Sequence, residues 1–393
     1  MNRLGFAHND LRRPPSYSLL PISSLMYDAV IIGAGINGCG IALELSKRGH
    51  RVVVVDKGPI GGGTSSKSTR LIHGGLRYLE QLHFGLVREA LQDRSELLRT
   101  YPDLVQLKPF YFPVYEESPR PAWMIGIGVR LYDWIAGRQL DQRSFRTTAA
   151  EFGAAFPSVR TEALKAVFCF YDGKTDDLAL TRRVAEDARG LGSEIHEQTT
   201  IESITWRGAT AVLATSVGTI EAGIVINATG PWIDEVNGVF DLPARYSIRR
   251  VSGIHLFFDG LLTPHPLFLQ TASRRIFFLI PEPETGRTMV GTTEREESVP
   301  SDEVSVTEAD VDYLIGAVNE YLRPDYALTR AGVRETTIGI RPLVTSREDA
   351  TDLSREYQLD LHQLDNAKLL HVFGGKLTTY LSLSRKAADL LGL

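Results

Sequence analysis

Three glycines, Gly33, Gly35 and Gly38, stand in G-x-G-x-x-G spacing, and an acid, Asp56, closes the second of the two apolar runs around them. Phosphate chemistry gives this pattern its meaning. The first glycine permits a tight turn, the second lets backbone approach a pyrophosphate, and the third lets a helix pack closely on a strand. Asp56 is placed to accept hydrogen bonds from ribose hydroxyls. Downstream, residues 57–80 (KGPIGGGTSSKSTRLIHGGLRYLE) form a long segment too rich in Gly, Ser and Thr for a regular core element; its hydroxyls and amides suit a phosphate or a flavin edge. A strand ending in NATGPW would bring more backbone to the same place, and LLHVFGGKLTTY repeats the order of strand, glycine turn and helix start. These residues predict a site for a dinucleotide, FAD or NAD.

Such a site needs elements to hold it. Tyr27 to Asp56 reads as a βαβ unit, with strands at Ala29–Ile32 and Val52–Val55 and the cofactor phosphates over the N-terminus of the helix between them. Phe84 to Thr100 predicts a helix with Leu86, Ala90, Leu97 and Leu98 near one face, and the apolar AWMIGIGVRLYDWIA, Ala122 to Ala136, predicts a buried helix in preference to one lying on a membrane. Ala166 to Tyr171 predicts a strand ended by a turn at Asp172 and Gly173, with a helix from Asp177 to Arg189. Ser193 to Trp206, Ala211 to Val217 and Thr219 to Ile226 read as β. The runs IHLFFD, RIFFLIP and TMVGTT predict a second, largely antiparallel sheet, and Thr307 caps an amphipathic helix reaching Leu322. The expected fold class is α/β: a discontinuous Rossmann-like dinucleotide-binding domain of residues 26–100, 151–240 and 335–393, with an inserted substrate-binding sheet domain of 101–150 and 241–334.

Composition narrows the function classes. Lys and Arg number 43 against 48 Asp and Glu, a net charge of −5 over 393 residues, which gives no electrostatic case for nucleic acid. The two cysteines, Cys39 and Cys169, lie in core-like segments and read as small packed residues rather than a redox pair. The nine histidines show no ligand spacing, so no metal is expected. No apolar run reaches the roughly 18–20 residues of a membrane span; a soluble or at most peripheral protein is expected. Residues 1–25 carry arginines, serines and a Pro-Pro pair. They read as a disordered tail or as sequence ahead of a functional start at Met26, with a mitochondrial-type presequence as the weaker alternative.

The motifs GAGINGCG, TSSKSTRLIHGGLRYLE, RPAWMIGIGVRLYD, NATGPW, SGIHLFF, RRIFFLIP, VGTTE, GIRPL and VFGGKLTTY, in order between residues 33 and 380, closely resemble those of the FAD-dependent glycerol-3-phosphate dehydrogenases, flavoproteins of the D-amino-acid-oxidase-like superfamily. The resemblance implies non-covalent FAD, hydride transfer from sn-glycerol 3-phosphate to flavin N5 to give dihydroxyacetone phosphate, and quinone or oxygen as the final acceptor. It implies a cytoplasmic location, with peripheral contact at the inner face of the membrane left open, and leaves the oligomeric state undefined. Family members commonly continue into a C-terminal helical domain, whereas this sequence ends at Leu393; Ser252 stands where Lys is expected, and Ser68-Thr69-Arg70 where the family reads S-S-K.

Carried over position by position, the resemblance assigns catalysis to Arg341 and His255. His255 is the more comfortable base near neutral pH, and Arg341 the group that stabilises a developing alkoxide, although the resemblance leaves room for Arg341 as the proton acceptor. Arg77, Tyr78, Arg355 and Lys376 would hold the substrate phosphate, with Ser68 as a hydroxyl donor. The cofactor would rest on Gly33, Gly35, Asn37, Gly38 and Asp56, then on Thr64, Ser65 and Ser66. Further along it would meet His73, Gly74, Gly75 and Leu76, then Ala228, Gly230 and Gly339, and finally Gly374, Gly375, Lys376, Leu377 and Thr378 at the flavin N1/O2 edge. Two other readings stay open: the same fold acting on an amino or 2-hydroxy acid, and a flavin-binding subunit without turnover.

Overall fold

Four consecutive valines, Val52–Val55, are fully buried, as a strand covered on both faces must be. They lie in the first of two sheets. The computed structural model describes residues 26–137, 142–346 and 357–393, apart from the side chains of Arg77, Gln81 and Ser346. Expectations that fall on residues 1–25, on Arg355 and on the Arg77 side chain lie outside this set. The first sheet runs in the order Gln358–Leu364, Ala367–Phe373, Gly218–Asn227, Tyr27–Ile32, Val52–Val55, Glu194–His196, with Ile201–Arg207 and Thr210–Thr215 as a meander beside Gly218–Asn227. Its centre is parallel, with Ile31 in register with Val54 on one side and Ile226 on the other. Helices Ile36–Lys47, Asp177–Gly190 and Tyr380–Leu391 cover one face through Ile41, Leu45, Val184 and Leu383, and the meander covers the other through Leu213 and Ile204.

The second sheet, ten-stranded, is almost wholly antiparallel. Tyr246–Asp259 pairs with Val333–Ser346 and Arg287–Gly291; beyond these come Ile276–Glu282, Leu267–Gln270, Val105–Tyr115, Leu164–Thr175 and Leu71–Ile72. Three of its strands depart from the expected division of the chain, since Leu71–Ile72, Leu164–Thr175 and all of Val333–Ser346 from residue 335 on had been placed with the dinucleotide unit. The turn expected at Asp172 and Gly173 is also absent. The strand runs straight through them, because Gly173 lies against Ile72, whose carbonyl oxygen a Cβ would meet at 2.8 Å. The predicted Ser193 to Trp206 strand divides into two, each pairing in a different part of the first sheet.

Three further corrections concern helices. In Phe84–Thr100 the buried face is Val87, Ala90, Leu91, Arg94 and Leu97, while Leu86 and Leu98 are only half-buried. Ala122–Ala136 buries Ile125, Val129, Tyr132 and Ala136 but leaves Trp123 69 %, Ile127 58 % and Trp134 76 % exposed, so it is a surface helix with an apolar outer face. The last helix begins at Tyr380, which leaves Gly374 to Thr379 as a loop with Gly374 and Gly375 at φ 74° and 100°. Glu308–Asn319 carries the expected cap, a capping box between Thr307 and Asp310. Both cysteines are buried and free.

Candidate active site

All the parallel strands of the first sheet end at one edge, and the turns that follow Ile32, Val55, Asn227 and Phe373 converge there. In open α/β sheets this edge is where ligands bind. A cavity of about 1110 Å³ opens at this edge and extends to the inner face of the second sheet.

Its first part is a phosphate and ribose cradle. Gly33 takes φ 106°, and a Cβ there would lie 2.6 Å from the Ala228 carbonyl oxygen; a Cβ on Gly38 would lie 1.9 Å from that of Gly33. The glycines thus let two turns and a helix crowd together at the N-terminus of Ile36–Lys47. The Ile36 amide donates to Ser65 Oγ at 2.9 Å, which ties the Ser/Thr-rich segment to that terminus. Asp56 receives the amides of Ala34 at 2.6 Å and Gly58 at 2.8 Å, and burial nonetheless holds its carboxyl above the usual range. Gly33, Gly35, Asn37, Asp56, Thr64, Ser65, Ala228 and Gly230 all line the cavity.

Three expected cofactor contacts do not line it. Gly38 faces Gly33, Ser66 Oγ turns back to the Gly63 carbonyl, and the Gly74 amide donates to the Tyr132 hydroxyl at 2.7 Å. Gly75, Leu76, His73, Gly339, Gly374, Gly375, Leu377 and Thr378 do line it, and Thr378 Oγ1 accepts the His73 amide at 3.0 Å.

The second sheet supplies His255 and Arg341 from neighbouring antiparallel strands. Glycines across the ladder make room for both. A Cβ on Gly291 would lie 2.3 Å from His255 Cδ2, and one on Gly253 would lie 2.7 Å from Arg341 Nη2. Arg341 donates to the Thr293 carbonyl at 3.2 Å and to Thr292 Oγ1 at 3.0 Å, which fixes its guanidinium plane. His255 Nε2 and Thr69 Oγ1 are hydrogen-bonded at 3.0 Å. Burial, and then the charges of Arg341 and Arg70, push the imidazole down to about 3. At neutral pH the ring is therefore unprotonated, the form that can accept a proton, although a weaker base than a free histidine.

Lys376 reaches back so that Nζ lies 4.2 Å from the centre of the Tyr78 ring, a cation–π contact at the cavity wall. Ser68 lines the cavity, but its hydroxyl proton goes to Asp177 Oδ2 at 2.7 Å, so it is no free donor. Sequence reasoning missed the wall itself. Phe110, Phe268 and Phe278 line it from three strands, with Arg275 and Asp172 beside them. Alternation within RIFFLIP carried a signal for Phe278, whereas Asp172 was hidden by its resemblance to a turn. Among the described residues no group of three or more His, Cys, Asp or Glu could hold a metal ion.

The model of the FAD dependent oxidoreductase family matches residues 28–379. A glycerol-3-phosphate dehydrogenase of Pseudomonas tolaasii is 37 % identical over 382 residues, covering 95 % of this chain and 73 % of that protein. The aerobic glycerol-3-phosphate dehydrogenase of Escherichia coli K12 is 35 % identical over 374 residues, covering 93 % and 73 %. Among solved structures, the glycerol-3-phosphate dehydrogenase from Bacillus halodurans complexed with FAD superposes with a TM-score of 0.73 at 23 % identity, covering 94 % of this chain and 66 % of that one. FAD is the cofactor, and the glycine cradle, Asp56 and the cavity reaching the second sheet fit its extended shape. The chain belongs to the FAD dependent oxidoreductase family, and its relatives over most of its length include glycerol-3-phosphate dehydrogenases.

Proposed function

We propose that this protein oxidises sn-glycerol 3-phosphate to dihydroxyacetone phosphate and passes the electrons to a quinone or to oxygen. The observation that carries the reading is that one cavity holds the FAD cradle at one end and, at the other, Arg341, His255 and Lys376 from three separate elements. FAD, when bound on the glycine cradle, would supply the hydride acceptor for the secondary carbon. The protein's part is binding, orientation and charge. Lys376 has no carboxylate partner among the described residues, and its ammonium is available to a phosphate dianion. Arg341, positioned by the Thr293 carbonyl and the Thr292 hydroxyl, stabilises negative charge developing on the substrate hydroxyl oxygen. The neutral His255 ring, hydrogen-bonded to Thr69, orients that hydroxyl and takes its proton as the hydride leaves.

The exposed apolar face of Ala122–Ala136 supports peripheral contact with a membrane. No helix among the described residues is long and apolar enough to cross one.

The anaerobic absorbance spectrum of the purified holoprotein tests the reaction. Bleaching of the oxidised flavin bands by sn-glycerol 3-phosphate, and not by glycerol, is the expected result. Flavin that stays oxidised with both would overturn the substrate assignment and leave the family intact.

A further inference from the structure

Asp172 is a polar group of the cavity wall that the reaction above leaves unused. Three donors converge on one of its oxygens: Arg94 Nη1 at 2.5 Å, the Tyr132 hydroxyl at 2.7 Å and the Gly74 amide at 3.3 Å. All three reach Oδ1. Oδ2 takes no donor among the described residues, although Asp172 is only 4 % exposed and what it faces is the cavity. The clamp is rigid, since Arg94 and Tyr132 are both fully buried and come from different helices. A carboxylate oxygen fixed on an aromatic wall, two residues along the strand from Phe170, costs desolvation that a ligand donor would offset.

The position says which part of the ligand this is. Asp172 and Tyr78 flank the same two-glycine turn. Gly74 is bonded on the Asp172 side, and a Cβ on Gly75 would meet the Tyr78 ring at 2.3 Å. Tyr78 in turn carries the Lys376 ammonium proposed to hold phosphate. A fixed carboxylate repels a phosphate or a carboxylate and accepts a hydroxyl.

We infer that Asp172 Oδ2 accepts a hydrogen bond from the substrate's terminal hydroxyl, the one that neither reacts nor carries phosphate. This makes the site selective for phosphorylated polyols over phosphorylated diols and over 2-hydroxy acids. The inference rests on the phosphorylated-alcohol reading above and deepens it.

Anaerobic flavin reduction with sn-glycerol 3-phosphate and with propane-1,2-diol 1-phosphate, which lacks that hydroxyl, separates the two. The wild-type holoprotein should favour sn-glycerol 3-phosphate, in flavin-reduction rate over half-saturation, by on the order of ten- to a hundredfold, the range for a hydrogen bond to a charged group. Asp172→Asn should lose most of that preference, with efficiency falling at least several times further on sn-glycerol 3-phosphate than on propane-1,2-diol 1-phosphate. Should the buried arginine left behind prevent folding, Arg94→Met combined with Asp172→Asn removes both charges together and carries the same expectation. Equal losses on the two substrates, with the preference intact, would make Asp172 merely structural and overturn the inference while the reaction stands. A wild type that oxidises neither substrate would remove the reaction and this assignment with it.

Discussion

His255 shows how a residue's chemistry is set by groups far away in the chain. Its ring stays neutral in the folded protein down to about 3 because it is buried beside Arg341 and Arg70. In the unfolded chain a histidine takes up its proton near 6.5. Between these values the unfolded state binds the proton and the folded state does not. Stability is therefore fullest above about pH 6.5 and falls as the pH drops, by up to ~1.4 kcal/mol for each pH unit from this residue alone. Urea titrations of wild type and His255→Asn at pH 7 and pH 5 should show a shallower acid loss in the variant; parallel losses would refute the buried neutral ring. The neighbouring Gly291→Ala should displace that ring, because its Cβ would lie 2.3 Å from Cδ2. Turnover is expected to fall at least tenfold with flavin content unchanged, and a drop in bound flavin instead would show that Gly291 serves the cofactor. Arg341→Ala should lower kcat on the order of a hundred- to a thousandfold, as loss of an oxyanion-stabilising donor does elsewhere, again with flavin retained in the absorbance spectrum. The glycine triplet and Asp56 were legible in the sequence because their spacing is local. The basicity of His255 was not, since it depends on burial by the fold and on Arg341 and Arg70 arriving from a neighbouring strand and from a loop.

Among the elements, the helix Ala122–Ala136 is the clearest case of pattern giving existence and boundaries but not surroundings. Its ends match the expected ones because Pro121 and Gly137 bound the run at its start and end. Its environment was misread because apolar residues occur all round it, and such a helix is ordinarily buried. Here only the side with Ile125, Val129 and Tyr132 meets protein. The opposite side, with Trp123, Ile127 and Trp134, carries the amphipathic aromatics that favour the water–lipid boundary. Replacing Trp123 and Trp134 together by Ser should reduce co-sedimentation with anionic phospholipid vesicles severalfold. Reduction of the flavin by soluble substrate should be unaffected. Unchanged vesicle binding would mean that the helix face has some other role.

At the scale of the whole molecule, the two sheets are interleaved along the chain, and this is why the division of residues into two units was only partly legible. Leu164–Thr175 finds its partners at Leu71–Ile72 and Val105–Tyr115, and Val333–Ser346 finds its own at Tyr246–Asp259. Such pairings leave no local trace, whereas the βαβ unit at Tyr27 to Asp56 folds on near neighbours and could be read directly. The cavity lies where the sheets meet, so a cofactor extended along it contacts residues of both and binds only when both are formed. That couples FAD to global stability. With free FAD at a hundred times its Kd, unfolding should cost ~2.7 kcal/mol more than for the flavin-free protein. For a chain of 393 residues this raises Tm on the order of 3 °C, taking the typical unfolding entropy per residue. Gly38→Ala provides the control. Its Cβ would fall 1.9 Å from the Gly33 carbonyl oxygen, which forces apart the turn and helix that form the phosphate cradle while leaving the second sheet untouched. Calorimetry of the stripped proteins with added FAD should show the shift in wild type and none in the variant. An equal shift in both would mean that the cradle at Gly33 to Gly38 does not hold the cofactor.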